Sequence, residues 1–107
     1  MPQFSIHRNR DEATRTRFPL LLDVQSDLLT PLNSRVVVPL SPASSARAQN
    51  RKMDLLTPRL VVAGKDYLMI TPQMACIAAR ELGAVVATAS GERGRIIAAL
   101  GILLTGL

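Results

Sequence analysis

The chain has no Trp, one Tyr, two Phe, one Cys and one His in 107 residues. The single Cys76 excludes an intramolecular disulfide framework and a Cys-rich zinc site. One His excludes a multi-histidine metal site, and no metal or cofactor is expected. Phe4, Phe18 and Tyr67 are too few to build a base-stacking surface for nucleic acid. Long apolar runs are missing too. The longest, Ile96 to Leu104, covers nine residues, whereas about 20 are needed to cross a bilayer, so no membrane partner is expected. The N-terminal stretch MPQFSIHRNRDEATR shows no apolar segment followed by a small-residue cleavage site, and a cytoplasmic location is the expectation.

The chain is 48% hydrophobic and only 20% charged, which is enough to form a packed core and excludes wholesale disorder. Its length suits a single domain over residues 1–107. A domain of this size buries only about 60–70% of its unfolded surface, so a partner subunit would help it. Thirteen Lys and Arg against eight Asp and Glu give a net charge of +5, which would steer an acidic partner and would also suit nucleic acid. Nine of the thirteen basic residues, from Arg8 to Arg59 and including Arg35, fall in the first 59 positions, where a solvated face is the plain explanation. No recognition-helix pattern accompanies them.

Hydropathy alternation and breakers predict mostly strands. Gln3 to His7 alternates, with Phe4 and Ile6 on one face. Arg8 to Arg17 reads as an exposed loop. Phe18 to Val24 reads as a strand buried on both faces, with Pro19 pointing to an edge position or to a start at Leu20. Ser26 to Ser34 is a loop. Arg35 to Leu40 is a strand that Pro39 and Pro42 should break. Ser41 to Lys52 is an exposed excursion or a small hairpin. Arg59–Ala63 and Tyr67–Thr71 form a hairpin with Gly64 in its turn. Pro72 to Ala75 suggests a helical turn, and Cys76 to Val86 fits either a strand or a helix. Ser90 is a candidate N-cap for a terminal helix from Gly91 to about Leu104, with Glu92 in its first turn. The expected class is mainly β (α+β): an antiparallel sheet or small β-barrel with a C-terminal α-helix.

The terminal helix places Ile96, Leu100, Leu103 and Leu107 on one side, with Ile97 and Leu104 elsewhere and Gly101 between them. A helix apolar nearly all round is buried on several faces, and one layer of sheet covers only one. Core packing explains one face. A second copy or another protein would explain the other.

Catalytic signals are weak, and the chain is not expected to be an enzyme. His7 has no Ser or Cys partner and reads as a partly exposed strand residue. Cys76, in the apolar string MACIAA, reads as a buried inert thiol. Asp23 and Asp27 lie at a strand end and in a loop, where charge pairing or turn formation suits them better than acid–base work. Gly91 to Gly94 is too short for a phosphate loop, and Met53, Met69 and Met74 read as core filler.

The string LDVQSDLL (Leu22 to Leu29) resembles the CcdB family of bacterial toxins. Gln3–Phe4 before it, VVVPL (Val36 to Leu40) after it, the Leu60 to Met74 hairpin segment and the closing Gly106–Leu107 extend the resemblance over nearly the whole chain. Ser41 to Lys52 and Arg8 to Arg17 align poorly.

The resemblance implies an SH3-like β-barrel with a side hairpin and a C-terminal helix, assembled as a homodimer. It implies the toxin of a type II toxin–antitoxin pair, which poisons DNA gyrase by binding its A subunit. A cognate antitoxin with an acidic disordered tail would neutralise it, and the complex would repress its own operon, with operator DNA reached only through the antitoxin. The implied gyrase-facing residues are Leu28 and Leu29 after the DVQSD string, with Gly101, Leu104, Thr105, Gly106 and Leu107 at the C-terminus. Thr105 stands where the family's best-known toxin has Trp, Leu104 where it has another aromatic, and Gly101 where it has Asn. A buried Trp is a strong binding anchor, and Thr does not replace its area. The alternatives are an RNA-cleaving toxin of similar barrel fold, for which His7 and Arg8 are the only evident groups, and a family member that binds antitoxin without poisoning gyrase.

Overall fold

The computed structural model describes residues 2–29, 31–43 and 51–106. Seven strands form one antiparallel sheet, curled into a half-barrel, with a C-terminal helix packed on it. In chain order they are β1 (Ser5–Asn9), β2 (Leu20–Asp23), β3 (Ser34–Pro42), β4 (Arg59–Val62), β5 (Lys65–Met69), β6 (Ala75–Ala78) and β7 (Leu82–Thr88). The helices are α1 (Arg51–Leu56) and α2 (Arg93–Thr105). The sheet runs β4-β5-β3-β2-β1-β7, and β6 pairs with β3 beside β5. No helix among the described residues is long and apolar enough to cross a membrane.

The period-2 rule sorts side chains between two cores. Leu20 and Leu22 of β2, Val38 and Leu40 of β3, and Ile6 of β1 face Ile96 and Ala99 of α2 in the larger cluster. Leu21 and Val37, one step along the same strands, pack with Leu82 on the opposite face of the sheet. Both faces of β2 are therefore buried, as its unbroken apolar run predicts. Its position is central, not at an edge, and it starts at Leu20 so that Pro19 stays outside the ladder.

Three local expectations need correction. β1 starts at Ser5, because Phe4 takes a left-handed φ of 70°, held by bonds from its N–H to Asp23 O and to its carbonyl from Ala89 N–H. Pro39 does not break β3. Its carbonyl accepts Ile70 N–H, so its ring nitrogen faces the gap where β3 changes partner from β6 to β5, and no ladder bond is lost. Ser90 does not cap α2. Ser90–Glu92 is a 3₁₀ turn, and Glu92 takes the N-cap position without a capping bond from its side chain, which accepts Arg95 instead. Of the two alternatives for Cys76 to Val86, strand holds: the stretch is strand at both ends, joined by a 3₁₀ turn at Ala79–Glu81.

The hairpin forms with Gly64 in its turn, as expected, but the turn is only two residues, Ala63–Gly64, both at positive φ (52° and 80°), so β5 begins at Lys65 instead of Tyr67 and ends at Met69. That geometry matches the right-handed twist of the flanking strands. Pro72 lies in a 3₁₀ turn, Thr71–Gln73, where Thr71 Oγ1 donates to Leu56 O at 2.6 Å and ties the end of α1 to the sheet. Within the expected 41–52 excursion, Ser41 and Pro42 extend β3 and α1 begins at Arg51, while residues 44–50 lie outside the described residues.

Candidate functional site

The DVQSD string is a scaffold for the two leucines that follow it. Asp23 is fully buried, and its Oδ2 accepts Arg35 Nε at 2.8 Å. Its other oxygen, Oδ1, accepts Gln25 N–H at 3.0 Å and turns the chain out of β2. Gln25, also buried, donates through Nε2 to Leu29 O and accepts Val36 N–H on Oε1. Ser26 Oγ accepts Leu28 N–H, and Asp27 Oδ1 accepts Gln3 N–H at 2.7 Å. Polar groups with fixed partners thus hold the 3₁₀ turn Asp27–Leu29 from below. Leu28 is left 89% exposed and Leu29 47% exposed, with Leu32 also exposed beside them in sequence.

The far end of α2 forms the second apolar patch. Ile96 and Ala99 are buried and Leu100 packs on the core, but Ile97 and Leu104 are exposed. Ile97, Gly101 and Leu104 follow i, i+4, i+7 spacing and share one stripe. A Cβ placed on Gly101 would meet nothing within 4 Å, so the stripe carries an open notch at its middle. Thr105 Oγ1 donates to Gly101 O at 2.7 Å. Gly106 takes φ 76°, and its N–H donates to Ile102 O, a left-handed C-cap that glycine supplies without strain. Thr105 and Gly106 are exposed. Leu107, the last of the expected gyrase-facing residues, lies outside the described residues.

Within one protomer these are two patches. The leucine turn is linked through Gln3 to Arg93 in the first turn of α2, by Asp27 Oδ1 to Gln3 N–H and by Arg93 to Gln3 Oε1. Thr105 closes the same helix about 18 Å further along its axis. Ile97 was absent from the expected site. Its signal was the i, i+4, i+7 relation to Gly101 and Leu104.

The groups considered for chemistry sit differently from expectation. His7 is buried, not partly exposed: its Nδ1 is 3.0 Å from Gly83 O, and its Nε2 has no hydrogen-bond partner among the described residues. With a carbonyl at Nδ1, that nitrogen carries the proton. Cys76 is exposed, not buried, because β6 pairs with β3 and turns this position outward. Arg35 belongs to no solvated face. It is 1% exposed and neutralised by Asp23. Asp23 and Asp27 take the pairing and turn-forming roles. Met69 is core and Met74 packs against it.

Fold and surface together define a small antiparallel half-barrel, closed by a C-terminal helix, that displays apolar side chains on a braced turn and along an uncovered helix stripe. Residues 3–106 match the family model of the CcdB protein, and the chain belongs to the CcdB family. Membership implies the toxin of a toxin–antitoxin pair, with an antitoxin as its partner.

Proposed function

We propose that the protein inhibits DNA gyrase by binding its A subunit, through Leu28, Leu29 and the closing turns of α2, and that it acts as a binding poison rather than as an enzyme. The observation that carries this reading is the exposure of Leu28 and Leu104 at 89% and 69% in positions that a polar scaffold and a helix cap hold rigidly. Uncovered leucines on pre-ordered backbone suit docking, since little entropy is lost when a partner covers them. With Thr105 in place of an aromatic, the anchors are Leu104, Ile97 and the notch at Gly101. A binding mode without chemistry is supported by the position of His7, whose ring is enclosed and bonded to backbone.

The proposal includes a homodimer in the cytoplasm, and operon repression together with the antitoxin. The deciding experiment is incubation of purified protein with gyrase, ATP and supercoiled plasmid. Accumulation of linear DNA on denaturation is the expected result. Normal supercoiling at saturating protein, with cleavage of cellular RNA instead, overturns it. His7→Asn keeps a donor toward Gly83 O and is expected to leave gyrase trapping unchanged.

A further inference from the structure

Four exposed cations form a row across the C-terminal end of β1: Lys65, Arg8, Arg10 and Arg80. Lys65 and Arg8 stand at the rim of a cleft of about 190 Å³, walled in part by Ala63, between the β4–β5 hairpin and the β1–β7 side of the sheet. Arg8 and Arg10 lie over Gly83 of β7, where a Cβ would come within 3.0 Å of Arg8 Cβ and 3.2 Å of Arg10 Cγ. The bare glycine is therefore the bed for both apolar stems, which leaves their charged heads to the solvent. Arg10 Nη1 donates to Arg80 O at 3.4 Å, and both residues line an open hollow of about 540 Å³. Among the described residues none of the four has a carboxylate partner, whereas Arg35, Arg59 and Arg95 are paired. Asp11 and Glu81 share the hollow, so charge is mixed there. With Arg15, Arg17 and Glu12 of the adjoining loop included, six cations still face three acids.

We propose that this row grips the phosphate backbone of duplex DNA, directly and without regard to base sequence. Three of its four members are Arg, whose planar fork matches a phosphate. Arg8 and Arg10 follow each other two residues apart where β1 ends, about 7 Å along extended chain, which equals two phosphate steps along one DNA strand. Unstacked bases find no platform, because none of the three aromatic residues is exposed. A duplex, whose bases stack on one another, therefore suits the row better than a single strand. The hollow at Arg10 and Arg80 is lined by charged side chains only and gives an acidic peptide no apolar seat. Net charge +5 draws a polyanion from a distance. The row and the leucine turn lie at opposite ends of β1, since Gln3 holds the turn and Arg10 follows the strand, about 20 Å away along extended chain. The two surfaces can be occupied at once, and the inference does not depend on gyrase being the target.

The test is fluorescence anisotropy of a fluorescein-labelled twenty-base-pair duplex of mixed sequence, titrated with the full-length protein alone. Saturable binding is expected, with equal affinity for a duplex of unrelated sequence. The association constant is expected to fall with salt on a log–log slope of about −3.6, which is about 0.9 for each of four phosphate contacts. Arg8→Gln, Arg10→Gln and Arg80→Gln should each take about 0.9 from that slope. Arg8→Glu combined with Arg10→Glu should weaken binding by roughly tenfold or more. Arg95→Gln, outside the row, should leave slope and affinity unchanged, and circular dichroism confirms that each variant is folded. Four results overturn the inference: no saturable binding, a slope indifferent to the Gln substitutions, tighter binding of a single strand of the same length, or tighter binding of a polyglutamate chain of equal charge, which would mark a peptide site. If the wild type fails to trap gyrase, the functional reading falls, but the DNA titration contains no gyrase and still decides the row.

Discussion

Arg35 Nε stands 2.8 Å from Asp23 Oδ2, and both side chains are almost wholly shielded from water. The pair links β2 to β3 directly beneath the turn that displays Leu28 and Leu29. Because Asp23 also receives Gln25 N–H, the ion pair and the start of that turn share one carboxylate. Removing one partner leaves a buried charge uncompensated. Asp23→Asn is expected to cost about 3–5 kcal/mol in urea unfolding, and so is Arg35→Met. Replacing both with apolar residues should cost much less than the sum of the two. An additive double variant would show that the pair contributes little.

The leucine turn and the helix end separate binding from stability. Leu28→Ser and Leu104→Ser remove exposed side chains, so thermal unfolding should stay within about 0.5 kcal/mol of the parent. Growth inhibition should fall sharply, with gyrase affinity reduced roughly 30-fold if each is a 2 kcal/mol anchor. Competition binding to the purified A subunit reads this directly.

Gly83 has no room for a side chain. A Cβ there would come within 2.6 Å of Arg8 O, a backbone atom that cannot move aside. Gly83→Ala should destabilise by about 1–3 kcal/mol, and it should also disturb the carbonyl that His7 Nδ1 uses. A midpoint of chemical denaturation unchanged from the parent would show that β1 and β7 can separate at this point without penalty.

Gly101 is the opposite case. It lies inside α2 with open space where a Cβ would go, so Gly101→Ala should raise stability by about 1 kcal/mol. The same methyl fills the notch between Ile97 and Leu104. A variant that melts higher yet inhibits growth less would identify the notch as a binding feature. Higher stability with full inhibition would remove it from the site.

Ala63 sits at φ 52° in the hairpin turn, a conformation that costs an L-residue roughly 1–2 kcal/mol. Ala63→Gly should relieve that strain, with a net gain of about 0.5 kcal/mol after the added freedom of the unfolded chain. Differential scanning calorimetry reads the shift. A lower melting temperature would show that the Ala63 methyl contributes more to the cleft wall than the turn loses in strain.

The order of residues by itself determined the strands, the hairpin turn and the terminal helix. The apolar pattern of β2 and β3, Gly64 between two β-rich runs, and the change of period near residue 90 are local signals, and local backbone preferences obey them. The string after Leu22 also marked the leucine turn. What a sequence position faces is a different matter. Pro39 survives inside a strand only because β3 changes partner there. His7, Cys76 and Arg35 exchange their expected exposures because sheet pairing, not composition, decides which side of a strand meets the core. Arg8 and Lys65 are 57 residues apart, and neither carries a signal of the other. Only the fold of the hairpin over the sheet brings their charges to the rim of one apolar cleft, because non-local packing is set by the whole chain at once.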